Sequence, residues 1–117
     1  ETPFKKTKII ESGINILQIF DVDTVVGLRP ERDLLLNHNG KGMQFLMEQG
    51  SFRLERNEVY KMVSGYLIRD IKSFKKENEL FGKRIGHVIF DQISAYNIRN
   101  KLDFSIANYL AKDHNLL

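Results

Sequence analysis

The sequence predicts an α+β domain: a largely antiparallel sheet with flanking helices and a C-terminal amphipathic helix. Three observations carry that expectation. Segments 22–28, 59–71 and 84–90 are rich in β-branched and aromatic residues in apolar runs of strand length, and in 51–55 Phe52 and Leu54 alternate with charged residues. These β-rich segments lie next to one another in the chain and precede a terminal helix, the order expected of an α+β arrangement. Finally, Ala95, Ile98, Leu102, Ile106 and Tyr109, with Leu110 beside them, recur at spacings of three and four between Gln92 and Lys112. That is one apolar stripe on a helix.

Taken in order, residues 1–8 read as a frayed or edge segment. Residues 9–20 are ambiguous: Ile14, Leu17 and Phe20 suit a helical stripe capped by Ser12, whereas Ile14 and Ile16 also suit a strand. Residues 22–28 have strand composition. Pro30 suits a first helical position, with Glu31 and Asp33 acidic in the first turn and the run Asn37-His38-Asn39-Gly40 as the stop. Residues 42–49 form a second short apolar element closed by Gly50, and Phe52 and Leu54 alternate with Arg53 and Glu55 as in a half-buried strand. Residues 59–71 have the strongest strand composition, with Gly65 marking a bulge or bend. Residues 72–80 are helix-prone up to Gly82, and residues 84–90 read as a buried strand. Asp103 is an alternative cap that would divide the terminal helix in two.

A chain of 117 residues holds one hydrophobic core without staples, so a single domain spanning 1–117 is expected. The absence of cysteine removes disulfides, thiolate catalysis and cysteine-based metal sites. No apolar run approaches the length of a membrane span, and the start lacks the apolar region of a signal peptide. The sequence therefore reads as soluble and cytoplasmic, with no membrane partner and no cofactor.

The net charge of +3 is unevenly placed. Residues 1–58 carry 8 basic and 9 acidic side chains, residues 59–117 carry 10 and 6. Lys72, Lys75, Lys76, Lys83 and Arg84 concentrate the excess, as a solvated surface or as a face for phosphates or an acidic partner. Phe74, Phe81, Tyr96 and Tyr109 interleave with that run as nucleic-acid-binding aromatics would, although Phe81 and Tyr109 read more economically as core. His38, His87 and His114 have no ligand spacing; His87, near Lys83 and Arg84, reads as a partly buried strand residue or a group in a cleft. No serine-hydrolase, P-loop or dinucleotide glycine pattern is present.

Asp21 and Asp23, in FDVDTVVG at 20–27, pose the sharpest question. An apolar strand followed by D-x-D-x-V-V resembles the first motif of haloacid-dehalogenase-like phosphohydrolases. The resemblance covers about eight residues and implies Asp21 as nucleophile and Asp23 as general acid beside magnesium. The family's later motifs have no full counterpart: Lys83 and Asp91 are the only candidates, too close together and one acid short. A polar turn with local hydrogen bonds accounts for the two aspartates more simply.

The segment LFGKRIGHVIF at 80–90 is similar to a motif of chorismate lyases and their relatives, the ligand-binding UTRA domains of bacterial regulators. The opening SGINILQIF at 12–20, with 22–26 after it, is similar to the helix-then-strand start of that fold. The two cover about a quarter of the chain. The resemblance implies an antiparallel sheet with helices around a ligand cavity, and a binding descendant rather than a lyase; Arg69 lies in a strand that suits the family's arginine, but no strand carries the matching glutamate. The combined reading is a domain without catalytic machinery that binds a small anionic ligand near Arg69, Lys83, Arg84 and His87, or an acidic protein partner. Lys72, Lys75, Lys76 and the stripe of Ile98, Leu102, Ile106 and Tyr109 are the candidate interaction residues. That stripe either completes the core, the favoured reading, or forms a homodimer. The rival readings are a magnesium-dependent enzyme using Asp21 and Asp23, and a nucleic-acid binder using residues 72–84.

Overall fold

The computed structural model describes residues 2–46 and 58–116. Their elements are α1 (Thr7–Ile19), β1 (Thr24–Glu31), β2 (Leu36–His38), β3 (Met43–Phe45), β4 (Val59–Arg69), α2 (Ile71–Glu77), β5 (Ile85–Ile89) and α3 (Lys101–Asp113). The fold is α+β with mainly antiparallel pairing. β1 is the middle strand of a sheet of order β4-β1-β5, and β2 and β3 form a separate antiparallel hairpin. β5 is parallel to β1, with Thr24 opposite Ile85 and Leu28 opposite Ile89. β4 runs the other way: the Asp70 N–H donates to the Asp23 carbonyl at one end, and Lys61 meets Glu31 at 3.8 Å at the other. Where the sequence reads as one domain, the chain groups into two compact units, residues 1–29 with 62–117, and residues 30–61.

In the first unit the core gathers Val25, Val63, Tyr66 and Phe90, with Ile9, Ile16, Leu17, Val22, Ile68, Val88 and Ala95 packed against them. Tyr66 and Phe90 meet edge to face at 4.9 Å between ring centroids. The Tyr66 hydroxyl donates to the Ile9 carbonyl at 2.6 Å. Burial pushes this phenol's pKa up, partly offset by the backbone N–H of Gly13. Where the sequence suggests a bulge or a bend at Gly65, that residue has a positive φ of 74°, and the buried residues of this strand step by three there, from Val63 to Tyr66.

Several expectations need correction. Residues 2–6 are not frayed: the Thr2 hydroxyl donates to the Ser64 carbonyl and Lys5 Nζ to that of Gly65, at 2.9 and 3.0 Å. α1 begins at Thr7 rather than at Ser12, whose hydroxyl instead donates back to the Lys8 carbonyl inside the helix. Its inward face is Gly13 with Ile9, Ile16 and Leu17, while Ile14 and Phe20 are exposed. Pro30 does not open a helix but lies in β1. It sits past the last β5 pairing, Leu28 with Ile89, so no β5 acceptor needs its missing N–H. Residues 37–40 belong to the hairpin, not a helix stop. The expected strand at 51–55 and the end of the 42–49 element lie outside the described residues.

α2 is capped by Asp70, whose carboxylate accepts from the Ser73 N–H and hydroxyl at 3.0 and 2.9 Å. It stops at left-handed Asn78, before Gly82. β5 is an edge strand that alternates exposed and half-buried residues, not a fully buried one. The terminal helix starts at Lys101 instead of Gln92, because Asp91 turns the chain by accepting from the Ser94 N–H and hydroxyl. Asn100, rather than Asp103, is the cap; its side chain accepts from the Asp103 N–H at 2.8 Å while Asp103 accepts from the Arg99 N–H at 2.9 Å. Among the described residues no helix is long and apolar enough to cross a membrane.

Two outcomes follow for stability. A Cβ at residue 13 would overlap the Tyr66 hydroxyl and come 2.6 Å from Ile68 Cδ1. Gly13→Ala should therefore cost about 1–3 kcal/mol in urea unfolding, despite alanine's better helix propensity. Asn100→Ala, which removes the cap of α3, should cost about 1 kcal/mol in the same experiment.

Candidate functional site

Asp21, Asp23, Arg69 and Arg84, four of the residues singled out in the sequence, meet at the end of the sheet where β1 begins and β4 ends. Asp21 and Asp23 separate there. In an extended strand positions i and i+2 share a face, but the Val22 N–H closes a tight turn on the Phe20 carbonyl just before β1. The Asp21 side chain is 89% exposed, whereas that of Asp23 is 4% exposed. The apolar run ahead of the pair is helix α1, not the strand that the phosphohydrolase motif requires. Among the described residues no three His or carboxylate side chains gather as metal ligands.

Asp23 is instead held by cations and donors. The Thr24 hydroxyl donates to its Oδ1 at 2.8 Å, and Arg69 Nη1 lies 3.6 Å from the same oxygen. Arg84 Nε lies 4.0 Å from Oδ2. Burial acts to raise the Asp23 pKa, but the Thr24 hydroxyl, the Arg69 guanidinium, and the backbone amide and guanidinium of Arg84 outweigh it and leave the group below the usual carboxylate range. Gly82 closes the site: its N–H donates to Thr24 Oγ1 at 2.9 Å, and a Cβ there would overlap the Asp23 carboxylate. Gly82, the first of two glycines in residues 80–90, thus has a packing role in this chain.

The proposed anion-binding residues are only partly brought together. The Arg69 side chain is 9% exposed, with Nη2 on Glu77 Oε2 at 2.7 Å and Nη1 on the Asp23 carbonyl at 3.2 Å. Arg84 is half-exposed and paired with Asp21 at 2.7 Å. Both arginines are therefore engaged by carboxylates of the chain itself. Lys83 is exposed in the loop before β5. His87 is exposed on β5 opposite Val26, three residues or about 10 Å beyond Arg84, and does not share its site. Lys72, Lys75 and Lys76 are exposed on α2.

The terminal stripe reverses the favoured reading. α3 buries Ala107 and Ala111, with Leu110 half-buried, and turns its large apolar residues outward. Leu102 is 68% and Tyr109 66% exposed, and Ile106 and Phe104 are exposed with them, while Ile98 is half-buried before the helix. Phe81 and Tyr109, expected in the core, are at the surface. Thr24, Glu77 and Phe104 were not among the sequence candidates. Thr24 adjoins Asp23 in the chain and was legible as a local donor; Glu77 and Phe104 carried no signal, one being an ordinary helix acid and the other lying off the stripe.

No protein-family model matches the chain, and no curated protein matches its sequence.

The electrostatics give two outcomes. Arg69→Met leaves the Asp23 carboxylate buried with its main cation gone and should cost about 3–5 kcal/mol, whereas Arg84→Ala at the surface should cost under about 1 kcal/mol. Because the Asp23 pKa is lowered on folding, its contribution is complete above the unfolded aspartate pKa and is lost as pH falls through the folded value. An acid titration of stability should be shallower for Asp23→Asn, measured against wild type by urea midpoints at each pH.

Proposed function

We propose that this domain is a non-catalytic binding module for a protein partner, and that α3 is the docking element. The observation that carries the reading is the division of labour on that helix: alanines face inward while Leu102, Ile106 and Tyr109, spaced i, i+4 and i+7, face outward. That spacing is how an amphipathic helix presents anchors to a groove or a second helix. One flank of the stripe carries Lys101, Ser105, Asn108 and Lys112 and no acid. Neither Lys101 nor Lys112 is ion-paired among the described residues. The complementary partner is an amphipathic helix whose apolar face is bordered by carboxylates. A small anion at Arg69 and Arg84 is the weaker alternative, since Asp23, Glu77 and Asp21 already occupy those guanidinium groups.

The test is fluorescence anisotropy of the full chain with an acid-flanked amphipathic helical peptide, over a range of salt. Binding should weaken at least tenfold with Leu102→Asp or Ile106→Asp, as loss of one buried anchor worth about 1.5–3 kcal/mol requires. Lys101→Glu with Lys112→Glu should weaken it mainly at low salt. The melting temperature should stay unchanged, because these side chains are outside the core. Absence of saturable binding overturns the acidic-helix partner. A doubled mass in solution that Ile106→Asp abolishes would assign the face to a second copy. Binding of an oligonucleotide that is lost with the α2 lysines would favour the nucleic-acid reading.

A further inference from the structure

The β2–β3 hairpin carries a reactive arrangement at its tip that is independent of the docking face. Asn39 is followed by Gly40, the pair in which a backbone nitrogen has the least obstructed approach to a side-chain amide carbon. Gly40 has a φ of 93°, and a Cβ built there meets nothing within 4 Å, so the tip is open. The Gly40 N–H donates to His38 Nδ1 at 3.0 Å. The Asn39 Oδ1 accepts from the backbone N–H groups of Lys41 and Gly42 at 2.9 and 3.1 Å. Asn39 Nδ2 donates to Gln44 Oε1 at 3.2 Å, and the Asn39 N–H to the Gly42 carbonyl at 2.9 Å, which pins the turn.

These contacts are the parts of an intramolecular acyl transfer: a base on the nucleophile's proton and two donors on the oxygen that becomes charged. We propose that Asn39 is a self-modification site, converted to aspartate and isoaspartate through a succinimide with His38 as base. His38 Nδ1 takes the Gly40 proton as the Gly40 nitrogen bonds to Asn39 Cγ. The carbonyl electron pair moves to Oδ1, where the Lys41 and Gly42 N–H groups hold the negative charge. Re-formation of the carbonyl expels Nδ2 as ammonia, which receives the proton from His38. Water then opens the imide at either carbonyl. The product places a carboxylate at the tip between His38 and Lys41, and in the isoaspartate form reroutes the backbone through the former side chain.

The experiment follows intact protein at neutral pH over days by peptide mapping with mass spectrometry, scoring the amide-to-acid change and isoaspartate formation at each asparagine. Wild type is compared with a free peptide spanning residues 36–46 and with His38→Gln, which keeps a hydrogen-bond acceptor but no base. Asn39 should convert several-fold faster in the folded protein than in the peptide, and His38→Gln should slow it several-fold. His38→Ala, with the hairpin checked by circular dichroism, should slow it likewise. Conversion no faster than in the peptide, or unchanged in both His38 variants, overturns the proposal.

Discussion

The buried carboxylate of Asp23 is the constraint to which the sheet is tied. Taking such a group out of water costs several kcal/mol unless cations and donors surround it. Those partners come from distant stretches of chain: Thr24 beside it, Arg69 at the end of β4, and Gly82 and Arg84 ahead of β5. None of the three strands can slip without stranding the charge. The backbone follows the same logic, since the Asp23 N–H donates to the Arg84 carbonyl and the Asp23 carbonyl accepts from Asp70 and Arg69. An apolar replacement of the whole cluster could match its stability, so its distinctive contribution is register rather than energy. Arg69 extends the tie to α2 through Glu77.

A second constraint is the closeness of glycines to aromatic rings. Gly13 lets the Tyr66 hydroxyl reach α1, and Gly27 in the middle strand leaves room for Phe90, whose Cε1 would stand 2.6 Å from a Cβ there. The close approach lets a helix and two rings seal a core built on four buried side chains. The hydroxyl of Tyr66 would be a liability in so small a core, and its hydrogen bond to Ile9 removes that cost.

How much of this was legible follows from which forces are local. β1, β4 with its bend at Gly65, the α2 segment and β5 were readable because strand composition, a glycine inside a strand and helix propensity act within a few residues. Pro30 misled because its fixed φ suits a helix start and a strand equally; only the end of the β5 pairing decides between them. Asp23 was visible as an unusual residue, but its partners lie 46 and 61 positions away, beyond any spacing rule. The α1 helix was obscured because a buried glycine, the centre of its inward face, adds nothing to an apolar stripe.

The same limitation explains α3, where periodicity found a real stripe and assigned it to the wrong side. Amphipathicity identifies an apolar face but not what covers it. The inward face here rests on alanines, which let a helix approach closely but remove little apolar area from water. The outward face carries the larger residues, so more apolar surface remains available on that helix than its own unit has used. A partner that covers it would add burial which exists only when α3 is formed. Binding and the order of α3 would then be linked: a partner that binds the folded helix would stabilise it by mass action, and fraying of the helix, beginning at its Asn100 cap, would lower the apparent affinity in proportion to the fraction of α3 that stays formed. On the docking proposal, binding at Leu102 and Ile106 would in this way be coupled to a capping hydrogen bond remote from those anchors.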